Sequence, residues 1–164
     1  MREVVIVDSV RTGLAKSFRG KFNMNRPDDM AAHCVDALLV RNGIDPKLVD
    51  DCIVGAGSNE GAQGMNIGRN VAALSRLGNP VAGMTLNRFC SSGLPAIANA
   101  AQTVINEGAP VAIGGGVESL SLVSRSGHMN TYRYTEDKLM AKWPAIWMTM
   151  IETAEIVADR YGVS

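Results

Sequence analysis

The sequence predicts an α/β protein, with a largely parallel sheet lying between layers of helix. Two observations carry that expectation. Short, wholly apolar runs of the kind found in strands buried on both faces alternate with longer stretches whose apolar residues recur at helical spacing. Glycine, proline and asparagine punctuate the junctions between them. Composition agrees: 46% hydrophobic and 20% charged residues in a chain of 164 allow a sizeable core, organised as one domain or as a domain with an appendage.

Val4, Val5, Ile6 and Val7 form the first apolar run, closed by Asp8 and Ser9, and predict a strand buried on both faces. A polar loop holding Gly13 and Gly20 leads to Pro27, Asp28 and Asp29, which open a helix with Ala31, Val35, Leu38 and Leu39 on one face and Gly43 at its end. Cys52, Ile53, Val54 and Gly55 predict the second strand. A helix is expected over residues 66–77, where Ile67, Val71, Leu74 and Leu77 share a side and Gly78, Asn79 and Pro80 stop the chain. Residues 81–86 read as the third strand, 94–106 as the third helix, and Val111, Ala112, Ile113 and Gly114 as the fourth strand. From Glu118 the chain turns polar. Residues 144–161 then read as a single helix with Trp147, Met150, Ile151, Ala154, Val157 and Tyr161 as its apolar stripe, Pro144 in its first turn and Gly162 just past its end. The expected organisation is therefore an α/β half at 1–118, followed by a segment at 119–164 that carries one helix. No internal repeat is visible.

Sixteen basic residues balance sixteen acidic ones, which argues against a nucleic-acid surface. The N-terminal apolar run is too short for the core of a signal peptide, and no stretch reads as a membrane span. Cys34, Cys52 and Cys90 cannot all pair within the chain and lack metal-ligand spacing, so a reducing cytoplasm and no bound metal are expected.

Chemistry in α/β sheets gathers at the carboxyl ends of the strands, and Cys90 falls there, between the third strand and the third helix. Pro95 is comfortable at the third helical position, which makes Ser92 the N-cap and leaves Cys90 in the turn just before a helix N-terminus, a place that favours a thiolate. The competing reading is a buried, inert thiol. Cys34, within a helix, and Cys52, in a strand, are read as plain packing. A base is harder to find. His33 shares a helix face with Asp29 and Asp36 and reads as a solvated residue, while His128 lies in a polar loop that nothing in the spacing holds. The glycines at 55, 57 and 61 do not match a dinucleotide fingerprint, and Gly114, Gly115 and Gly116 read as points of close backbone approach. Trp147 and Met150, with Trp143 and Met148, are weak candidates for a substrate wall and better ones for core or domain contact.

Asn87-Arg88-Phe89-Cys90-Ser91-Ser92-Gly93-Leu94, followed by a small-residue helix and by Gly115-Gly116-Val117-Glu118-Ser119-Leu120-Ser121, resembles the thiolases, the 3-ketoacyl-CoA thiolase and acetyl-CoA acetyltransferase group. Arg11-Thr12, Asn66-Ile67-Gly68-Arg69 and Thr153-Ala154-Glu155 agree in order and spacing. The resemblance spans nearly the whole chain and less than half of the family's length, ending inside a loop domain inserted in the first of two α/β halves. It implies that Cys90 is the acyl-accepting nucleophile, with its backbone N–H helping to hold the thioester oxyanion. It also implies that acyl-CoA and coenzyme A are substrates in fatty acid metabolism, that no cofactor is permanently bound, and that the protein is a homodimer or homotetramer. The family's histidine and second cysteine fall outside these residues, so the 164 residues alone are expected to be inactive. Thr149-Met150-Ile151 stands where short-chain biosynthetic members carry His-Met-Gly, which favours the broader 3-ketoacyl group. The alternatives are a ketosynthase-type condensing enzyme and a truncated, non-catalytic half-domain or interaction module.

Overall fold

The structure, a computed structural model, describes residues 2–124 and 129–164. It divides into two compact units, residues 1–129 and 130–164.

The first unit begins its regular structure with α1 (Pro27–Asn42), which has proline in its first turn and Gly43 closing it in the left-handed region at φ 59°. Then come β1 (Val49–Gly55), α2 (Ile67–Leu74), β2 (Ala82–Leu86), α3 (Gly93–Gln102) and β3 (Val111–Gly116). The three strands form one parallel sheet in the order β2-β1-β3, with Cys52 opposite Gly83 on one side and Ile113 on the other. Side chains of β1 alternate between two cores, as the pleat requires. Cys52 and Val54 pack with Val35, Leu39, Ile67 and Val71 of α1 and α2, whereas Ile53 packs with Ala96 and Ala100 of α3. The α/β architecture with helices on both faces is the one expected.

The strand expected over residues 4–7 is absent. Val5, Ile6 and Val7 are 77%, 80% and 70% exposed, and the segment joins no ladder. A run that is apolar on both faces needs an interior strand position. Both sides of β1 are already occupied, by β2 and β3, so only a sheet edge is left. The segment is instead tied at its ends: Arg2 donates to the Gly108 carbonyl, and Asp8 accepts from Arg41 at 3.2 Å and from Asn42 at 2.8 Å. The Asn42 amide, foremost, holds the Asp8 carboxyl below the usual carboxylate range, helped by the Ser9 N–H and Arg41.

Two helices are shorter than their periodicity predicts. Asn66 caps α2 by accepting from the Arg69 N–H, but the helix stops at Leu74, where the Ser75 hydroxyl bonds the Ala72 carbonyl and accepts from the Leu77 N–H. Leu77 still reaches the core. α3 gives way after Gln102 to a wider π turn, Thr103–Glu107, closed by Gly108 at φ 80°.

The second unit holds α5 (Asp137–Lys142) and α6 (Met150–Tyr161), a short α4 (Leu120–Val123) belonging to the first unit. The single helix expected over 144–161 is two pieces, a 3-10 turn at Pro144–Trp147 and then α6. The break is made by a capping box. Thr149 Oγ1 accepts from the Glu152 N–H at 3.2 Å while the Glu152 carboxylate accepts from the Thr149 N–H at 2.9 Å. The Thr149 N–H and then the Thr149 hydroxyl, both donating to the Glu152 carboxylate, hold that carboxyl below its ordinary range. The apolar stripe of α6 is uncovered: Met150, Ile151, Val157 and Tyr161 are exposed. A unit this small has too little apolar mass of its own to cover the stripe.

Candidate active site

The C-terminal ends of β1, β2 and β3 lie side by side, and the turn following β2 leaves the sheet from that end. Asn87, Arg88, Phe89, Cys90, Ser91 and Ser92 carry the chain from β2 into α3, and Cys90 is exposed on that turn. Ser92 is the N-cap residue and Pro95 falls at the third helical position, as expected, but the Ser92 hydroxyl does not cap the helix. It turns back into the loop, accepting from the Arg88 N–H at 2.8 Å and donating to the Phe89 carbonyl. The Ser91 hydroxyl adds a bond to the Arg88 carbonyl at 2.9 Å. Phe89, immediately before the cysteine, has φ 49°. For a bulky residue that conformation costs about 1–3 kcal/mol and persists only where the surroundings enforce it.

Close packing brings the turn down on the sheet. A Cβ on Gly55 would overlap the Ser92 carbonyl, and one on Gly114 would come within 2.7 Å of the Ile97 Cα, so these strand-end glycines let α3 sit directly on β1 and β3. The close approach expected of the glycine run at 114–116 is seen at Gly114 and Gly116, whereas a Cβ on Gly115 would meet nothing within 4 Å.

Behind the turn lies a polar frame whose central member the sequence did not single out. Gln63, with no exposed surface, donates through Nε2 to Glu118 Oε1 and to the Ser58 carbonyl, each at 2.7 Å, and its Oε1 accepts from the Ser119 N–H. Glu118 Oε2 accepts from the Gly57 N–H at 2.6 Å. The Gly57 carbonyl accepts from Asn87 Nδ2 at 3.0 Å, and Asn87 Oδ1 accepts from the Phe89 N–H at 2.7 Å. No local pattern announces Gln63, because two of its three partners, Glu118 and Ser119, lie on the loop after β3, more than fifty residues along the chain.

The other thiols are placed as expected. Cys52 has no exposed surface, and burial, seconded by Asp51, pushes its thiol up to about 12. Cys34 is half-buried and helps to line a cavity of about 350 Å³ together with Cys52, Val71, Ile113 and residues 10–17; Cys90 is not part of that lining. His33 is exposed on α1, and His128 lies outside the described residues. In the second unit the Trp147 ring packs against Tyr134 at 5.3 Å while Met150 is 81% exposed, so the two candidate wall residues share no pocket there. Among the described residues no cluster of metal-ligating side chains occurs, and no helix is long and apolar enough to cross a membrane.

Fold and site together define an α/β chain that presents a thiol at the carboxyl ends of a parallel sheet, the place where such folds gather ligands. The chain belongs to the thiolase family: residues 4–164 match the thiolase N-terminal domain. It is similar to the 3-ketoacyl-CoA thiolase of Bacillus subtilis strain 168, with 42% identity over 164 residues, covering 100% of this chain and 41% of that protein. Over 122 residues it is 43% identical to the 3-ketoacyl-CoA thiolases of Acinetobacter baumannii and Acinetobacter baylyi, which covers 74% of this chain and 31% of each relative. The chain thus spans less than half the length of the curated relatives it matches.

Proposed function

We propose that this chain supplies the nucleophile of a thiolase-type acyltransferase acting on 3-ketoacyl-CoA. The Cys90 thiolate attacks the keto carbon, the bond between that carbon and the neighbouring methylene breaks, and acetyl-CoA departs after its carbanion takes a proton. The acyl group is left as a thioester on Cys90. Coenzyme A then attacks the thioester carbonyl, and the Cys90 sulfur leaves with the bonding electrons. In the reverse direction the same steps condense two acyl-CoA molecules. The Cys90 backbone N–H is the oxyanion donor in this scheme. The observation that carries the reading is the exposed Cys90 thiol on a constrained turn at the strand ends, within a segment that matches the thiolase N-terminal domain.

Coenzyme A and acyl-CoA enter as substrates, with no resident cofactor. Three free cysteines suit a reducing cytoplasm. The open edges of β2 and β3 and the exposed Phe89 and Leu94 suit self-association as a homodimer or homotetramer. Trp147 and Met150 remain proposed as acyl-group neighbours, and the domain boundary at 118/119 remains the proposed division of the family fold.

Among the described residues the one histidine, His33, lies on the solvent face of α1 and offers Cys90 no base. The 164-residue chain by itself is therefore expected to form an acyl-Cys90 thioester, seen by peptide mass spectrometry, and to show no turnover of acetoacetyl-CoA or longer 3-ketoacyl-CoA. Turnover that disappears in His128→Ala would overturn the assignment of roles, and acylation at a residue other than Cys90 would overturn the nucleophile.

A further inference from the structure

Three loops, one after each strand, converge behind Cys90, and a single side chain joins two of them directly. Gln63 ties the loop after β1, through the Ser58 carbonyl, to the loop after β3, through the Glu118 carboxylate and the Ser119 N–H. The chain of contacts continues from Glu118 to the Gly57 N–H, from the Gly57 carbonyl to Asn87, and from Asn87 to the N–H of Phe89. Its last member is the residue held at φ 49° immediately before the thiol.

The chemistry of the chain demands a carboxamide at its centre. Its nitrogen faces two acceptors and its oxygen faces a donor, so reversing the amide would set an oxygen against a carboxylate and a carbonyl. A glutamate there would face Glu118 with like charge. Glycine is demanded at the next link, because a Cβ on Gly57 would stand 2.9 Å from Glu118 Oε2 and 3.4 Å from the Phe89 carbonyl carbon. Buried and fully bonded, Gln63 has one orientation available, and each later contact inherits it.

We propose that Gln63 is a positioning residue for Cys90, acting through Glu118, the Gly57 peptide and Asn87 to hold Phe89 in the backbone conformation that presents the thiol and its neighbouring N–H to an acyl carbonyl. The proposal rests on the reading of Cys90 as acyl acceptor. Transfer of an acyl group depends on the angle of attack and on the placement of the oxyanion donor, whereas alkylation depends only on an accessible thiolate. The two reactions at one sulfur therefore separate positioning from exposure.

The test compares the wild-type chain with Gln63→Met, Asn87→Ala and the double variant, each treated with S-phenyl thioacetate and, separately, with iodoacetamide. In the first reaction the Cys90 thiolate bonds to the acetyl carbon, the bond from that carbon to the phenyl-bearing sulfur breaks, and thiophenolate leaves with the electron pair. Each single variant is expected to lower acetylation of Cys90 by roughly 10- to 100-fold, the loss typical of a misplaced reacting group, with alkylation unchanged. The double variant should lose no more than the worse single, since both sit on one chain of contacts. Cys52 must stay unlabelled throughout, which reports an intact core; if Gln63→Met fails this check, Asn87→Ala, at an exposed position on the same chain of contacts, carries the comparison. Acetylation falling in step with alkylation, losses that multiply in the double variant, or variants acetylated at the wild-type rate would each overturn the positioning role. A wild-type Cys90 that is alkylated but never acetylated would overturn the acyl-acceptor reading and this proposal with it.

Discussion

Cys52 sits inside β1 with no exposed surface and its thiol pushed up to about 12 by burial, whereas Cys90 stands in the turn after the neighbouring strand, open to solvent. The two lie on adjacent chain crossings of one sheet and differ by where the backbone lets them go. At Cys52 the ladder is regular and paired on both sides, so the side chain is committed to the core between α1, α2 and the sheet. At Cys90 the ladder has ended, and backbone groups that β2 would have paired are taken by Asn87, Ser91 and Ser92 side chains. A regular strand makes a thiol inert, and a turn held by side chains makes it available.

The largest expected effect follows directly. At pH 8, a thiol with a pKa near 12 has on the order of one part in ten thousand as thiolate, before any steric protection is counted. Brief treatment of the folded chain with iodoacetamide should therefore label Cys90 first and Cys34 later, and leave Cys52 untouched until denaturation. Peptide mapping that finds Cys52 or Cys34 ahead of Cys90 breaks the comparison. The same shift has a stability consequence: the unfolded thiol ionises near its ordinary value of 9.0 while the folded one holds its proton to about 12, so the stability present below pH 9.0 should fall as pH rises through that window.

Truncating the strand interior comes next. Ile53→Ala removes a fully buried side chain from the core beneath α3 and should cost about 2–5 kcal/mol in denaturant unfolding, whereas Cys90→Ala, at an exposed position, should stay within about 0.5 kcal/mol of wild type and lose all acylation at that site. Equal destabilisation by the two would contradict the contrast between core and turn.

The smallest effect sharpens it. Ser92→Ala removes the hydroxyl that accepts from Arg88 and donates to Phe89, leaving the part-buried Arg88 N–H without that partner, at a cost of about 0.5–1.5 kcal/mol. Because those bonds belong to the turn rather than to a helix cap, acetylation of Cys90 should fall while the helix content seen by circular dichroism stays the same. A loss of helix with unchanged acetylation would return Ser92 to an ordinary capping role.

Much of this arrangement was legible in residue order. Pro27 and Gly43 bracket α1, Gly162 follows α6 at φ 64°, and the Pro95 register places Ser92 at the N-cap, all because proline and glycine act through their own backbone restrictions. The Cys90 site was legible for the same reason, as a cysteine between an apolar run and a helix start. The capping box that divides residues 144–161 also stands in the sequence, in Thr149 and Glu152, although the apolar stripe running across it predicts one continuous helix.

What tertiary structure alone decided is which apolar surfaces find a partner and which distant polar groups meet. Residues 4–7 and the stripe of α6 are as apolar as β1 or α2, yet they stay exposed, since periodicity marks a face and says nothing of whether another element covers it. Gln63 joins Ser58, Glu118 and Ser119 across as many as 56 positions of chain, a meeting set by strand order and by the close seating of loops over glycine. Local sequence determined where helices start and stop and where the thiol could emerge; the parallel sheet, by bringing the ends of β1, β2 and β3 side by side, determined what stands behind it.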